Sequence, residues 1–263
     1  MNKKTFQKVL IACVGFLIFV TFMAVIFHHF ADTKDEPVSA KPNKVVYLTF
    51  DDGPSANTQR VFDDGPSKNT KAVLRILKHY DVHATFFVTG QFPEYESLIK
   101  DEFKQGNAIG VHTYCHDYAT IYASSEAYFK DIDKANEMIK RQTGMTSPLL
   151  RFPGGTSNTV SRKYCDGIMS TLSKEAIEKG YQYYDWNAEN GDGNSSLDKD
   201  TLIHTALKEV EGKDSVMMLM HDGGGNEATV KALPTIIKNL KKQGYEFKVI
   251  DATTPVFHHH IAN

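Results

Sequence analysis

The chain has 263 residues, of which 41% are hydrophobic and 24% charged, and its formal net charge is −2 at pH 7. This near-neutral charge gives no electrostatic reason to expect nucleic-acid binding, and the length allows one domain of roughly 200 residues beside a separate N-terminal part. Three cysteines provide no disulfide framework and no metal-type spacing, so we interpret Cys13, Cys115 and Cys165 as packing residues.

The N-terminal part contains an apolar run at residues 9–27, VLIACVGFLIFVTFMAVIF, without a charged residue. Its 19 residues are enough for a helix to cross a hydrocarbon core of about 30 Å. Three lysines precede the run, so residues 1–8 are predicted to be cytoplasmic and the chain after the run extracellular. The alternative is a cleaved signal peptide and a secreted domain. Because His28-His29-Phe30 offers no small-x-small cleavage site, we predict an uncleaved, single-pass membrane anchor.

Residues 28–43 contain two prolines and are mostly polar, which predicts a linker. From Lys44 onward, β-type runs alternate with helical patterns. Strands are predicted at Val45–Phe50, Ala84–Val88, Ala108–His112, Leu149–Phe152, Tyr181–Trp186, Val216–Met220 and Glu246–Ile250, and helices at Lys71–His79, Ala127–Gln142, Ser173–Lys179, Asp198–Glu211 and Thr229–Lys242. This order predicts an α/β sheet or barrel over residues 44–251, followed by a C-terminal tail at 252–263.

A local tandem duplication interrupts this pattern. Phe50–Val61 (FDDGPSANTQRV) is followed directly by Phe62–Val73 (FDDGPSKNTKAV), which differs at three positions. The first copy follows KVVYLT, which a sheet can bury, whereas a strand before the second copy would bury Gln59 and Arg60. Unpaired burial of such groups costs several kcal/mol each. The first copy is therefore predicted to carry the chemistry, and the extra residues to bulge between strand and helix.

Candidate metal ligands follow two of the predicted strands. Asp51-Asp52 precedes Gly53-Pro54, a pattern that also suits a simple turn. His112 and His116 are spaced i and i+4, which brings two imidazoles to one side of a helical turn. Two neutral histidines and one carboxylate form the three-ligand pattern of catalytic zinc with an open coordination position. Such a metal activates water and polarises a carbonyl group.

The other groups needed for hydrolysis are also present. His221, after the strand VMMLM, can protonate a leaving amine, and Arg151 can orient a carboxylate. Gly154-Gly155 leaves backbone N–H groups free to approach a developing oxyanion. His221 and Arg151 also have purely structural explanations, namely a capped strand end and a surface ion pair.

Five short motifs occur along the chain: TFDDGP (Thr49–Pro54), HTYCH (His112–His116), RFPGG (Arg151–Gly155), DWN (Asp185–Asn187) and LMHD (Leu219–Asp222). Their order resembles that of the polysaccharide deacetylase family, which shares the NodB homology domain and forms carbohydrate esterase family 4. The chain resembles this family from about Lys44 to Ile250.

The resemblance implies a role for each matching residue. Asp51 corresponds to the catalytic base and Arg151 to the residue that holds it, while His221 corresponds to the general acid. The metal ligands are implied to be Asp52, His112 and His116, with zinc, cobalt or another divalent ion as the cofactor. The Gly154 N–H is implied to lie at the oxyanion, and the fold to be a distorted, incomplete (β/α) barrel. The apolar run at residues 9–27 separately predicts one transmembrane helix before this domain.

Two motifs depart from the family pattern. Many members have tyrosine where this chain has Gly154, which removes part of a groove wall. In the fourth motif, Asp185, Glu189 and Asp192 all remain candidates for the acid. Trp186, the only tryptophan, is expected either to stack on a sugar ring or to pack in the core.

The expected function is metal-dependent removal of N-acetyl groups from a cell-envelope polysaccharide. A domain anchored at the outer face of a bacterial membrane favours peptidoglycan, with its GlcNAc and MurNAc residues, as the substrate. One alternative is an O-acetyl esterase acting on a polysaccharide. Another is a non-catalytic, membrane-tethered glycan-binding protein whose site the FDDGPS duplication has impaired.

Overall fold

The computed structural model describes residues 44–55 and 69–263. The strands are β1 Lys44–Asp51, β2 Thr85–Thr89, β3 Ala108–Thr113, β4 Leu149–Leu150, β5 Gln182–Tyr183, β6 Ala188–Glu189, β7 Ser215–His221 and β8 Tyr245–Phe247. The α-helices are α1 Asn69–His79, α2 Leu98–Lys104, α3 Tyr118–Ile121, α4 Ser125–Thr143, α5 Ile168–Glu178, α6 Lys199–Glu209 and α7 Glu227–Lys242. Short 3₁₀ helices lie at Pro93–Tyr95 and Val160–Lys163.

The strands form one parallel sheet in the order β5-β4-β3-β2-β1-β7-β6. The strand β8 pairs with the first residues of β1, whereas β2 pairs with its last residues, Thr49–Asp51. The sheet path ends at β5 on one side and β6 on the other, and residues 184–187 connect these two edge strands. The architecture is therefore an α/β half-barrel of parallel strands, in agreement with the predicted incomplete barrel.

The apolar sequence of β1 explains its central position. From Val46 to Asp51 every residue of this strand is buried, and the Phe50 ring stacks on Phe86 with centroids 5.2 Å apart. The helix α1 buries Val73, Leu74 and Leu77 on one face. Burial of one large apolar side chain stabilises a fold by about 1.5–3 kcal/mol. The first FDDGPS copy is thus held at the end of a buried strand, as the burial argument predicts.

Several elements differ from their predicted bounds. The helices α2 and α3 and the strand β6 are absent from the prediction, because two to seven residues are too few to show a clear period. The predicted strand Leu149–Phe152 is only two residues long, since the chain turns at Phe152–Gly155. The helix α5 begins at Ile168, five residues before the predicted start at Ser173.

The predicted C-terminal tail at 252–263 contacts the domain. The His258 ring stacks on Tyr183 with centroids 3.8 Å apart, and the His259 backbone N–H donates to Asp185 Oδ2 at 2.7 Å. At the end of the chain, the Asn263 carbonyl oxygen accepts a hydrogen bond from the Ser170 backbone N–H at 2.8 Å. The segment therefore runs along the loop after β4 and reaches the first turn of α5.

Within residues 44–55 and 69–263, no helix has both the length and the apolar character required to cross a bilayer. The predicted anchor at residues 9–27 and the second FDDGPS copy at residues 62–67 lie outside the described residues.

Candidate active site

The predicted site residues gather at one edge of the sheet. Asp51 ends β1 and His221 ends β7, and the two residues are paired in the register of these neighbouring strands. His112 is the fifth residue of β3, and Arg151 directly follows β4. Because all the strands are parallel, their carboxyl ends face the same side, which is where α/β folds place their reactive groups.

Asp52, His112 and His116 form a compact cluster whose ligand atoms all lie within 4.8 Å of one another. Asp52 Oδ1 lies 3.3 Å from His112 Nε2 and 3.2 Å from His116 Nε2. This oxygen is buried and has no hydrogen-bond partner within the described part of the chain. Tetrahedral zinc with bonds of about 2.0–2.1 Å separates its ligand atoms by roughly 3.3 Å. The donor set, its spacing and the unpartnered oxygen therefore all fit a divalent metal.

Hydrogen bonding prepares His112 for this role. His112 Nδ1 lies 2.8 Å from the Arg151 carbonyl oxygen, which can only accept, so Nδ1 carries the proton and donates it. His112 Nε2 is then left with a free lone pair facing Asp52. His112 is buried, which lowers its pKa, but the Asp51 and Asp52 carboxylates outweigh burial and raise the pKa overall. For His116, burial and the neighbouring His112 lower the pKa, which favours the neutral, metal-binding imidazole.

Arg151 holds the second aspartate of the site. Its Nη1 donates to Asp51 Oδ1 at 2.9 Å and to Thr49 Oγ1 at 2.7 Å, while Nε and Nη2 donate to the carbonyl oxygens of Tyr184 and Asp185. The Arg151 side chain is fully buried, and its guanidinium lies over the Phe87 ring at 4.3 Å. The surface ion pair considered from sequence is therefore wrong for Arg151. Asp51 Oδ2 faces the metal-ligand cluster, 3.9 Å from His112 Nε2.

His221 is oriented by Asp192. Of the three acidic candidates in the fourth motif, Asp192 is therefore the one that contacts His221. Asp192 Oδ1 lies 2.7 Å from His221 Nδ1, and Asp192 Oδ2 accepts from the His221 backbone N–H at 2.9 Å. Burial alone would lower the pKa of His221, but the hydrogen bond to Asp192 and the nearby carboxylates raise it to about 9. Glu189 is exposed in β6, so it is not the partner.

Asp185, predicted to line the substrate groove, is instead fully buried and has a different role. Its Oδ1 accepts from the Thr156 backbone N–H at 2.9 Å, and its Oδ2 accepts from the Thr156 hydroxyl and the His259 N–H. It therefore ties the loop after β4 to the C-terminal segment. Trp186 is half-buried beside this loop, and a Cβ at Gly155 would lie 3.0 Å from its ring.

A second set of contacts, which the motifs alone did not identify, holds the turn containing Asp52. Asp52 has a left-handed φ of 73°, and its Cβ packs so closely on Gly223 that a side chain there would lie at 2.8 Å. Thr70 donates to Asp222 Oδ2 at 2.5 Å and accepts from the Ser55 N–H at 2.9 Å. Asn69 donates from Nδ2 to the Gly223 carbonyl oxygen at 2.8 Å. The first repeat copy thus provides Asp51 and Asp52, while the second provides Asn69 and Thr70.

The comparisons with known proteins agree with this geometry. A family model described as polysaccharide deacetylase matches residues 61–167. The chain is 32% identical over 221 residues to the putative polysaccharide deacetylase YheN of Bacillus subtilis, covering 82% of this chain and 70% of that protein. It is also 32% identical over 212 residues to a peptidoglycan-N-acetylglucosamine deacetylase of Bacillus cereus, covering 79% of this chain and 86% of the relative.

The fold is also similar to solved structures. The catalytic domain of peptidoglycan N-acetylglucosamine deacetylase from Eubacterium rectale superposes with a TM-score of 0.77 at 37% identity, covering 84% of this chain and 94% of that domain. The family-model match begins at residue 61 and so contains the second FDDGPS copy, whereas the structure places the first copy at the end of β1. On the strength of these relatives, the chain is a polysaccharide deacetylase, a member of the family that shares the NodB homology domain.

Proposed function

We propose that this chain hydrolyses the acetamido groups of GlcNAc or MurNAc residues in peptidoglycan. The observation that carries the proposal is the cluster of Asp52, His112 and His116, flanked by an Arg151-bound carboxylate and an Asp192-bound imidazole. This arrangement offers a proton acceptor and a proton donor beside one metal site, as amide hydrolysis requires. The peptidoglycan deacetylases among the relatives support the choice of substrate.

In the proposed mechanism, Asp51 accepts a proton from the attacking water while Arg151 holds its carboxylate. A divalent cation held by Asp52, His112 and His116, which we propose to be zinc, would supply Lewis acidity when bound. The Gly154 N–H stabilises the negative charge that develops on the acetyl oxygen. His221 then donates its proton to the leaving nitrogen, so that the products are acetate and a free amine. Asp192 keeps His221 protonated and directs its Nε2 to the leaving group.

The direct test is acetate release from purified peptidoglycan by the full-length chain. We expect release that stops after treatment with a chelator and returns on addition of zinc or cobalt. O-acetylated xylan serves as the parallel substrate, and preferential release from it would replace our proposal with an O-acetyl esterase. Glycan binding without acetate release from either substrate, with metal present, would instead identify a non-catalytic binding protein.

The pairing of Asp192 with His221 predicts a change in the pH dependence of activity. The protonated imidazole is the active form, so activity should fall as the pH rises through the His221 pKa, which is about 9 in this structure. Asp192→Asn removes the largest effect that raises this pKa, so that burial, which lowers the pKa, is opposed only by the weaker effects of Asp52 and Asp51. The alkaline limb of the kcat profile should therefore move to lower pH by about 1–3 units.

Asp198→Asn is the matched control, because Asp198 caps α6 through the Thr201 N–H and is exposed. Its alkaline limb should coincide with that of the unmodified enzyme. An Asp192→Asn profile that also coincides would show that His221 is not the group that limits activity at high pH.

We also propose that residues 9–27 anchor the enzyme in the cell membrane, with the catalytic domain outside. The support is the uncharged run and the lysines before it. Fractionation of bacterial cells that produce the full chain should recover it with the membranes. Recovery of a shortened chain in the culture medium would show cleavage and secretion.

A further inference from the structure

The loop after β4 contains a peptide group held from one side by buried donors. The Tyr122 hydroxyl donates to the Pro153 carbonyl oxygen at 2.7 Å, and Asn158 Nδ2 donates to the same oxygen at 3.2 Å. Tyr122 is fully buried at the C-terminal end of α3, so water does not compete for its hydroxyl. The carbonyl direction is thus determined by the interior of the protein.

In the turn at Phe152–Gly155, the direction of the Pro153 carbonyl group also determines the direction of the Gly154 N–H. The Gly155 N–H donates to the Phe152 carbonyl oxygen at 2.8 Å, and Gly154 has a φ of 76°. Proline at the second position and positive φ at the third are the features of a type II turn. The central peptide is planar and trans, so the Gly154 N–H points away from Tyr122. Within residues 44–55 and 69–263, no protein group accepts a hydrogen bond from this N–H.

Glycine at position 154 does not select this orientation by itself. A type I turn would place the same peptide about half a turn around, with negative φ at the third position, and glycine adopts either sign of φ readily. The flipped peptide would direct the Gly154 N–H toward the buried hydroxyl and the Pro153 carbonyl outward. The hydrogen bonds from Tyr122 and Asn158 to the Pro153 carbonyl oxygen therefore select between two backbone arrangements that residues 153 and 154 both permit, and the bond from Tyr122 is the shorter of the two.

We propose that Tyr122 is a positioning residue that holds the Pro153–Gly154 peptide with its N–H directed at the developing oxyanion. This inference rests on the proposed function, in which the Gly154 N–H is the oxyanion donor. The same loop carries Arg151, whose carbonyl oxygen accepts from His112 and whose guanidinium binds Asp51. The Pro153–Gly154 peptide therefore lies only a few backbone residues from Arg151, which contacts both His112 and Asp51.

Tyr118, one helical turn before Tyr122, borders the same peptide. Its hydroxyl lies 2.9 Å from the position that a Cβ of residue 154 would occupy, and its ring contacts the edge of His116 with centroids 5.8 Å apart. The turn at Gly154 therefore lies beside Tyr118, whose ring is in contact with a residue of the metal cluster.

The test compares two tyrosines of the same buried aromatic cluster. Tyr122→Phe removes the hydroxyl that binds Pro153 and keeps the ring. Tyr128→Phe is the control, because Tyr128 is also fully buried and stacks on Tyr122 at 6.0 Å, while its hydroxyl has no partner among the described residues. Both full-length variants are assayed with a soluble N-acetylglucosamine oligomer, and their zinc affinity and Tm are measured.

We expect Tyr122→Phe to lower kcat by about 10–100-fold, somewhat less than the loss of an oxyanion donor itself. Its KM and zinc affinity should stay within about 2-fold, because the charge on the oxygen develops only in the transition state. Tyr128→Phe should keep kcat within about 2-fold of the unmodified enzyme. A loss of kcat shared equally by both variants would indicate a general packing effect and overturn the inference.

A readout that does not depend on turnover separates this inference from the proposed function. The ¹H–¹⁵N amide resonance of Gly154 should shift in Tyr122→Phe and stay in place in Tyr128→Phe. The unmodified enzyme can be active while Tyr122→Phe shows neither a lower kcat nor a shifted Gly154 resonance. That result contradicts this inference and leaves the proposed function intact. An inactive unmodified enzyme contradicts the proposed function and with it the oxyanion role, whatever the resonance shows.

Discussion

The Asp52→Ala variant should lose more than about 100-fold in zinc affinity, since even groups that only support metal ligands contribute 10–100-fold. Asp52 provides the only carboxylate of the cluster, and its Oδ1 is the atom that both histidine Nε2 atoms face. Without it, two imidazoles remain, which is too few for a catalytic zinc site. Calorimetric zinc titration measures the affinity, and acetate release should fall in parallel.

Asp64→Ala is the matched control, because Asp64 occupies the same position in the second FDDGPS copy. We expect it to bind zinc and release acetate as the unmodified enzyme does. If Asp64→Ala lost the metal and Asp52→Ala kept it, the second copy would hold the site, in agreement with the start of the family-model match at residue 61.

The Asp51→Asn variant should lower kcat by about 10²–10⁴-fold, the usual contribution of a general base. Asparagine keeps an oxygen that can accept from Arg151, but it cannot take a proton from water. Zinc affinity should change little, since Asp51 lies outside the three-ligand cluster. Arg151 is fully buried and loses its carboxylate partner, so stability should also fall, by about 3–5 kcal/mol at most. Thermal unfolding is therefore measured with kcat, to confirm that the variant is folded at the assay temperature.

Asp63→Asn, the corresponding change in the second copy, should leave kcat and Tm unchanged. Deletion of residues 57–68 extends this control, because it leaves the single segment FDDGPSANTKAV with Asp51, Asp52, Asn69 and Thr70 all present. We expect the deletion variant to be active. Inactivity of either the deletion variant or Asp63→Asn, in a folded protein, would contradict the assignment of catalysis to the first copy.

The motifs predicted most of the candidate site because each one is local in sequence. Asp52, His112 and His116 come together, although not on the predicted helical turn: Asp52 and His116 follow parallel strands and His112 is the last residue but one of β3, and the carboxyl ends of such strands share one edge. The position of the first repeat copy at the end of β1 was also accessible, because burial depends on the residues directly before each copy. For Arg151 the motif indicated the partner, Asp51, although not the complete burial.

The motifs could not identify groups that act through distant contacts. Asp185 and Asp192 are both acids of one polar segment, and only the fold shows that Asp192 meets His221 while Asp185 binds Thr156. Tyr122 belongs to no motif, and its contact with Pro153 spans 31 residues. Such pairings depend on where a loop returns to the sheet. Neither hydrophobic periodicity nor a short motif predicts that position.

The sequence by itself determined the strand–helix order, the identity of the candidate metal ligands and the membership of a deacetylase family, because hydrophobic periodicity and short motifs are properties of neighbouring residues. The tertiary structure alone decided which acid orients His221, which residues hold the Asp52 turn and which hydroxyl directs the Gly154 amide. Those choices depend on the register of parallel strands and on loops that meet across the carboxyl edge of the sheet, where residues far apart in sequence come within hydrogen-bonding distance.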